Sequence, residues 1–156
     1  MIKQPLSTIQ AKQDEIIQAF QALADDREAM LYYLMELGEQ MPLLDEAYKT
    51  DANLVKGCMS AVWLKHSQQG DRLFFEADSN TAITKGLISL LVRVLSGQPT
   101  SAILQADLYF IERIGMNQLI GSQRSSGFAS MIKQIRVIAM AHQLKIDQQS
   151  YDAGNS

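Results

Sequence analysis

The sequence predicts a mixed fold in which several helices accompany one small antiparallel sheet. Three observations predict it. Two alternating, β-prone segments, 61–67 and 72–78, flank the connection SQQGD, as in a hairpin. An almost wholly apolar stretch, TAITKGLISLLVRVL, follows them at once. On either side of this block, apolar residues recur at helical rather than strand spacing.

In chain order, Ser7 or Thr8 is placed to cap a first helix carrying Ile9, Ile16, Ile17, Phe20 and Leu23 on one side. Asp25 or Asp26 caps a second helix, whose stripe is Met30, Tyr33, Leu34, Leu37 and Met41 and whose end is marked by Gly38 and Pro42. Residues 43–51 lose periodicity and read as a turn of helix and a loop that presents the next segment. In NLVKGCMSAVWL, residues 53–64, Asn53 to Val55 suit a short extended lead-in and Gly57 a tight turn, and the strand then begins. Along the second strand Leu73, Phe75 and Ala77 share a face that needs a cover, while Arg72, Phe74 and Glu76 point away.

The helix from about residue 81 to 95, capped by Ser79 or Asn80, is the expected cover. Gly86 inside it costs helix stability, which a close approach of backbone to a strand would compensate. Gly97 and Pro99 end it, Thr100 or Ser101 starts a short helix through Gln105, and 108–120 is apolar without clear periodicity. A last helix begins near Ser122 and carries Phe128, Met131, Ile132, Ile135, Ile138 and His142, with Gly127 near its start. Trp63 is expected in the core. Residues 1–146 form one domain, and 147–156, DQQSYDAGNS, a polar and frayed tail.

At 156 residues the chain is long enough for a core that needs no metal or disulfide. Its opening, MIKQPLSTIQ, lacks a secretory apolar region, and no run is long enough to span a bilayer, so a cytoplasmic location is expected. A net charge of -3 argues against nucleic acid and anionic membranes and toward a protein or small-molecule partner. One Cys with His66 and His142 is too few for a structural zinc site or an iron-sulfur cluster, and no phosphate-binding glycine loop is present. A pairing of Cys58 with either histidine as a catalytic dyad is disfavoured, since His66 continues the strand and His142 lies on a core-facing stripe.

Cys58 therefore carries the chemistry. Beside Gly57 it sits at a turn, outside any helical stripe, where Lys56 could favour its thiolate. A single thiol without a resolving cysteine can take up a sulfur atom by exchange and pass it on, and modest activation by Lys56 or Arg124 would serve. Three alternatives stand beside this reading: a thiol redox sensor, a cysteine-dependent hydrolase, and a buried small hydrophobe.

The runs ELGEQMPLLDEAYKTDANLVKGCMSAVWL, FEADSNTAITKGLISLL and QRSSGFASMIKQIRVIA closely resemble the SufE family of sulfur acceptor proteins. The marks are Gly57-Cys58 with Trp63, Ala77 to Ser79, Lys85 to Leu87, and Arg124 with Gly127. The resemblance implies an α+β fold, a small, mainly antiparallel three-stranded sheet packed against several helices and similar to the IscU-type scaffolds. It implies that Cys58 accepts persulfide sulfur from a SufS-type or CsdA-type cysteine desulfurase, stimulates that enzyme, and delivers sulfur to an iron-sulfur scaffold complex. The chain would thus be a sulfur-transfer partner more than an independent enzyme. It would bind no cofactor, pyridoxal phosphate residing in the desulfurase, and a homodimer is left open. Lys56, Gly57, Asp78, Ser79, Lys85 and Arg124 are the expected cysteine-loop and interface residues. Asp78 and Ser79 also close the strand and cap the central helix.

Overall fold

The structure, a computed structural model, describes residues 8–154. Helices α1 (Ile9–Gln21) and α2 (Arg27–Gln40) lead through two short 3-10 turns, Glu46–Tyr48 and Asp51–Asn53, to the hairpin β1 (Val62–Gln69) and β2 (Arg72–Ser79). Then come α3 (Ala82–Leu95), β3 (Gln98–Pro99), α4 (Thr100–Gln105), α5 (Phe110–Ile114), α6 (Met116–Ile120) and α7 (Ser122–Gly154). The sheet is antiparallel in the order β1-β2-β3, so the chain is α+β. The third strand is two residues long, and Leu54 in the lead-in makes only an isolated bridge to Trp63.

Several caps and turns follow the sequence. Thr8 Oγ1 accepts from Ala11 N–H and Asp26 Oδ1 from Ala29 N–H, each at 3.0 Å, closing helix starts as N-cap oxygens do. Ser7 lies outside the described residues. The hairpin turns at Gly70, where φ is +61°.

The core is organised by α3, which packs on β2 on one side and α2 on the other. Leu87, Ile88, Leu90, Leu91 and Val94 are buried, and Leu73, Phe75 and Ala77 meet them from the sheet. Gly86 does make a close backbone approach, but to a helix. A Cβ there would lie 2.3 Å from Leu34 O, and one at Gly38 would lie 2.8 Å from Gly86 N. Gly38, in the last turn of α2, is thus half of a two-glycine crossing, and its carbonyl accepts the closing bond from Met41 N–H.

Other expectations are corrected. Thr81, not Ser79 or Asn80, is the N-cap of α3, and no side chain caps it. Trp63 is only half-buried, on the sheet face away from the core, with Lys49 Nζ 5.7 Å from its ring centre. Residues 110–120 form two short helices broken at Gly115, where φ is +74°. The polar residues 147–154 continue α7, while 155 and 156 lie outside the described residues. No helix among the described residues is long and apolar enough to cross a membrane.

Candidate functional site

Cys58 lies in a six-residue loop whose stem is the bond from Val55 N–H to Val62 O, 2.8 Å. The corner after β2 pins the outgoing arm. Ala61 N–H donates to Asn80 Oδ1 at 3.0 Å, Ser79 Oγ donates to Ala61 O at 2.8 Å, and Thr81 and Ser60 hydroxyls meet at 2.9 Å. The tip rests on α7. Gly57 has φ +91°, and a Cβ on it would come within 2.5 Å of Ser130 Oγ, so both backbone and packing call for glycine.

The thiol points inward. Its S–H donates to Gly127 O at 3.3 Å, and a Cβ on Gly127 would touch Sγ at 3.5 Å. It opens into a cavity of about 430 Å³. Met35, Leu87 and Met131 line that cavity with apolar groups, Thr81 to Thr84 with the first turn of α3, and Gln123 and Arg124 with the first turn of α7. The uncapped start of α3 and the start of α7 therefore turn the positive ends of two helices toward the space beside Cys58.

Burial pushes the Cys58 thiol above its ordinary pKa. A carbonyl acceptor holds the protonated form further. Lys56 is exposed, and among the described residues no hydrogen bond or ion pair joins it to the thiol. It does not supply the activation expected of it in this conformation.

Asp78, Ser79 and Lys85 form a neighbouring cluster. Asp78 is buried and pairs with Lys49 at 2.8 Å and Lys85 at 3.3 Å, while Ser79 N–H donates to its Oδ1 at 2.8 Å. Burial opposes its ionisation, but hydrogen bonds from Lys49 and Ser79 and the charge of Lys85 outweigh that and hold its carboxyl below the usual range. Lys85 is thereby committed to the fold at the base of α3. Arg124 differs. It is exposed at the cavity mouth, its guanidinium reaches Ile120 O at 3.4 Å, and among the described residues no carboxylate pairs with it.

The structure thus gathers Cys58 and Arg124 around one cavity, with Gly57 seating the loop on Ser130 and Asp78 and Ser79 bracing the corner behind. Sequence reasoning missed Lys49, Asn80, Ser130 and Met59. Met59 follows the cysteine, is 82% exposed, and lies against the Gln123 amide. Their signals are weak, since a polar loop residue at 49 reads as solvated, Asn80 reads as a helix cap, and one methionine beside a turn reads as core. Neither histidine lines the cavity. His142 is not in the core; it contacts His66 on β1 instead.

The family SufE, described as an Fe-S metabolism associated domain, matches residues 14–139. An uncharacterized SufE-like protein of Rhizobium etli is 40% identical over 131 residues, covering 81% of this chain and 88% of its own length. SufE-like protein 1, chloroplastic/mitochondrial, of Arabidopsis thaliana is 33% identical over 98% of this chain, which spans only 41% of that longer protein. An uncharacterized SufE-like protein of Synechocystis is 30% identical over 143 residues, 90% of this chain and 86% of its own. The solution structure of a hypothetical protein from Thermus thermophilus shares the fold, with a TM-score of 0.70 at 16% identity over 85% of this chain and 96% of that one. With its α+β architecture and a family match covering most of its length, the chain belongs to the SufE family.

Proposed function

We propose that this protein is a sulfur carrier in which Cys58 accepts the outer sulfur of a persulfide on a cysteine desulfurase and holds it for delivery to an iron-sulfur scaffold complex. The Cys58 thiolate attacks the outer sulfur of the partner's persulfide. A new S–S bond forms on Cys58, the partner's S–S bond breaks, and its cysteine leaves as a thiolate that takes up a proton. Sulfane sulfur moves from one thiol to another with no net oxidation, and the pyridoxal phosphate chemistry stays within a SufS-type or CsdA-type partner.

The observation that carries this reading is the half-open cavity beside a lone thiol on a glycine turn. An added sulfur has room there, away from competing thiols. Two helix N-termini and Arg124 favour the negative charge of a persulfide over a neutral thiol. Ionisation for attack requires the tip Lys56–Ser60 to leave its seat on Ser130 and Gly127, so the loop alternates between a sheltered and an extended position. Arg124 and exposed Met59 then stand at the docking face. A hydrolase would need an imidazole beside the thiol, and both histidines lie elsewhere.

Desulfurase turnover tests the partnership. With an active enzyme and cysteine, addition of the native chain is expected to raise the rate of alanine formation, while Cys58→Ser leaves it at the basal level. Equal stimulation by both chains would sink the acceptor role of the thiol.

A further inference from the structure

Two further chemistry-bearing side chains meet where β1 crosses α7. His142 Nε2 stands 3.4 Å from His66 Nδ1, with ring centres 5.2 Å apart and ring planes at 83°. The tautomer of His142 follows from its neighbours. Gln68 Nε2 donates to Gly70 O at 2.9 Å, which turns Gln68 Oε1 toward His142 Nδ1, 2.7 Å away. An oxygen acceptor there calls for a proton on Nδ1. Neutral His142 then carries its lone pair on Nε2, the atom facing His66.

We propose that His66 Nδ1 and His142 Nε2 form a two-histidine chelate for zinc(II). Zn–N bonds of about 2.0–2.1 Å at a tetrahedral angle separate two ligand nitrogens by about 3.4 Å. With both lone pairs aimed at the metal, the ring centres fall about 5.2 Å apart, whereas a straight N–H···N bond of the same N···N length sets them about 5.7 Å apart. Both observed spacings match the chelate. Square-planar coordination, preferred by copper(II), brings the nitrogens to about 2.9 Å and fits less well.

The surroundings agree in part. Gln68 supplies the outer hydrogen bond that orients a metal-bound imidazole. Burial, His142 and Lys145 hold His66 below its ordinary pKa, and burial and Lys145 do the same for His142. Lys145 also opposes a cation. Among the described residues no three His, Cys, Asp or Glu side chains gather, so water completes the coordination and the affinity is that of a chelating pair, below that of a closed four-ligand site. The metal would tie the hairpin to α7 about 22 Å along that helix from Gly127, the residue beneath Cys58.

The test is zinc titration by calorimetry near neutral pH into Cys58→Ser, in which the thiol cannot compete, and into the same chain carrying His66→Gln or His142→Gln. Cys58→Ser is expected to bind one equivalent, with affinity at least tenfold weaker after either histidine change. Cobalt(II) should give d–d absorption shifted from that of the aqueous ion, a shift that both histidine variants lose. Melting in EDTA checks that the variants are folded, and zinc should raise the melting temperature of the two-histidine chain alone. Absence of binding to the two-histidine chain, or equal affinity in all three chains, would overturn the proposal and leave the pair as a hydrogen bond.

Discussion

Cys58 is held in its least reactive form by the contacts that shelter it. Its S–H donates to Gly127 O and burial raises its pKa, so at neutral pH a smaller fraction is thiolate than in free cysteine. Because the folded pKa is the higher one, alkylation of the native chain should lag behind that of the urea-unfolded chain from neutral pH upward, and converge only well above the ordinary thiol pKa. Iodoacetamide labelling followed by mass should show slower labelling of the native chain than of the unfolded chain near neutral pH. A native rate equal to the unfolded one would show that the thiol is not sheltered. The importance of Gly57-Cys58 was legible because glycine at a turn and a lone thiol are local signals. The direction of Lys56 was not, because whether a lysine reaches a thiol depends on α7, about seventy residues away in sequence. For the same reason Asp78 could be placed at the strand end, but not between Lys49 and Lys85.

Among the elements, the crossing of α2 and α3 sets the position of everything at the cavity. Two glycines let the helix backbones meet, and this seats the first turn of α3 beside the cysteine loop. Gly86→Ala should therefore cost about 3 kcal/mol or more, since its Cβ would collide with the main chain of Leu34 and no side chain can rotate away. Urea unfolding measures this, and an unchanged midpoint would refute the close crossing. Periodicity revealed both helices and the hairpin, and an interior glycine announced a close approach. It could not say which element approaches, because a glycine's missing side chain points equally well to a helix or a strand. The N-cap shifted to Thr81 because Ser79 and Asn80 bind the cysteine loop instead of serving as caps.

At the scale of the whole molecule, α7 links the two chemical regions. Its first turns form the seat of Cys58, and its later turns carry His142 to the hairpin and run on to Gly154. The end of this helix was illegible because residues 147–154 bury nothing and their polar composition resembles a tail. Family resemblance in the three runs around Cys58, Lys85 and Gly127 anticipated the α+β sheet, whose two-residue third strand is too short to leave a pattern of its own. The fold thus places one shielded thiol at one end of the sheet, under two helix starts and an arginine without a carboxylate partner among the described residues.

The most direct measurement of the central claim is the intact mass of the purified chain after incubation with an active cysteine desulfurase, pyridoxal phosphate and cysteine, beside Cys58→Ser. The account predicts that the native chain gains one or more sulfur atoms, removed by reductant, and that the serine variant gains none. No gain on the native chain with a cognate, active desulfurase, or an equal gain on both, would contradict it.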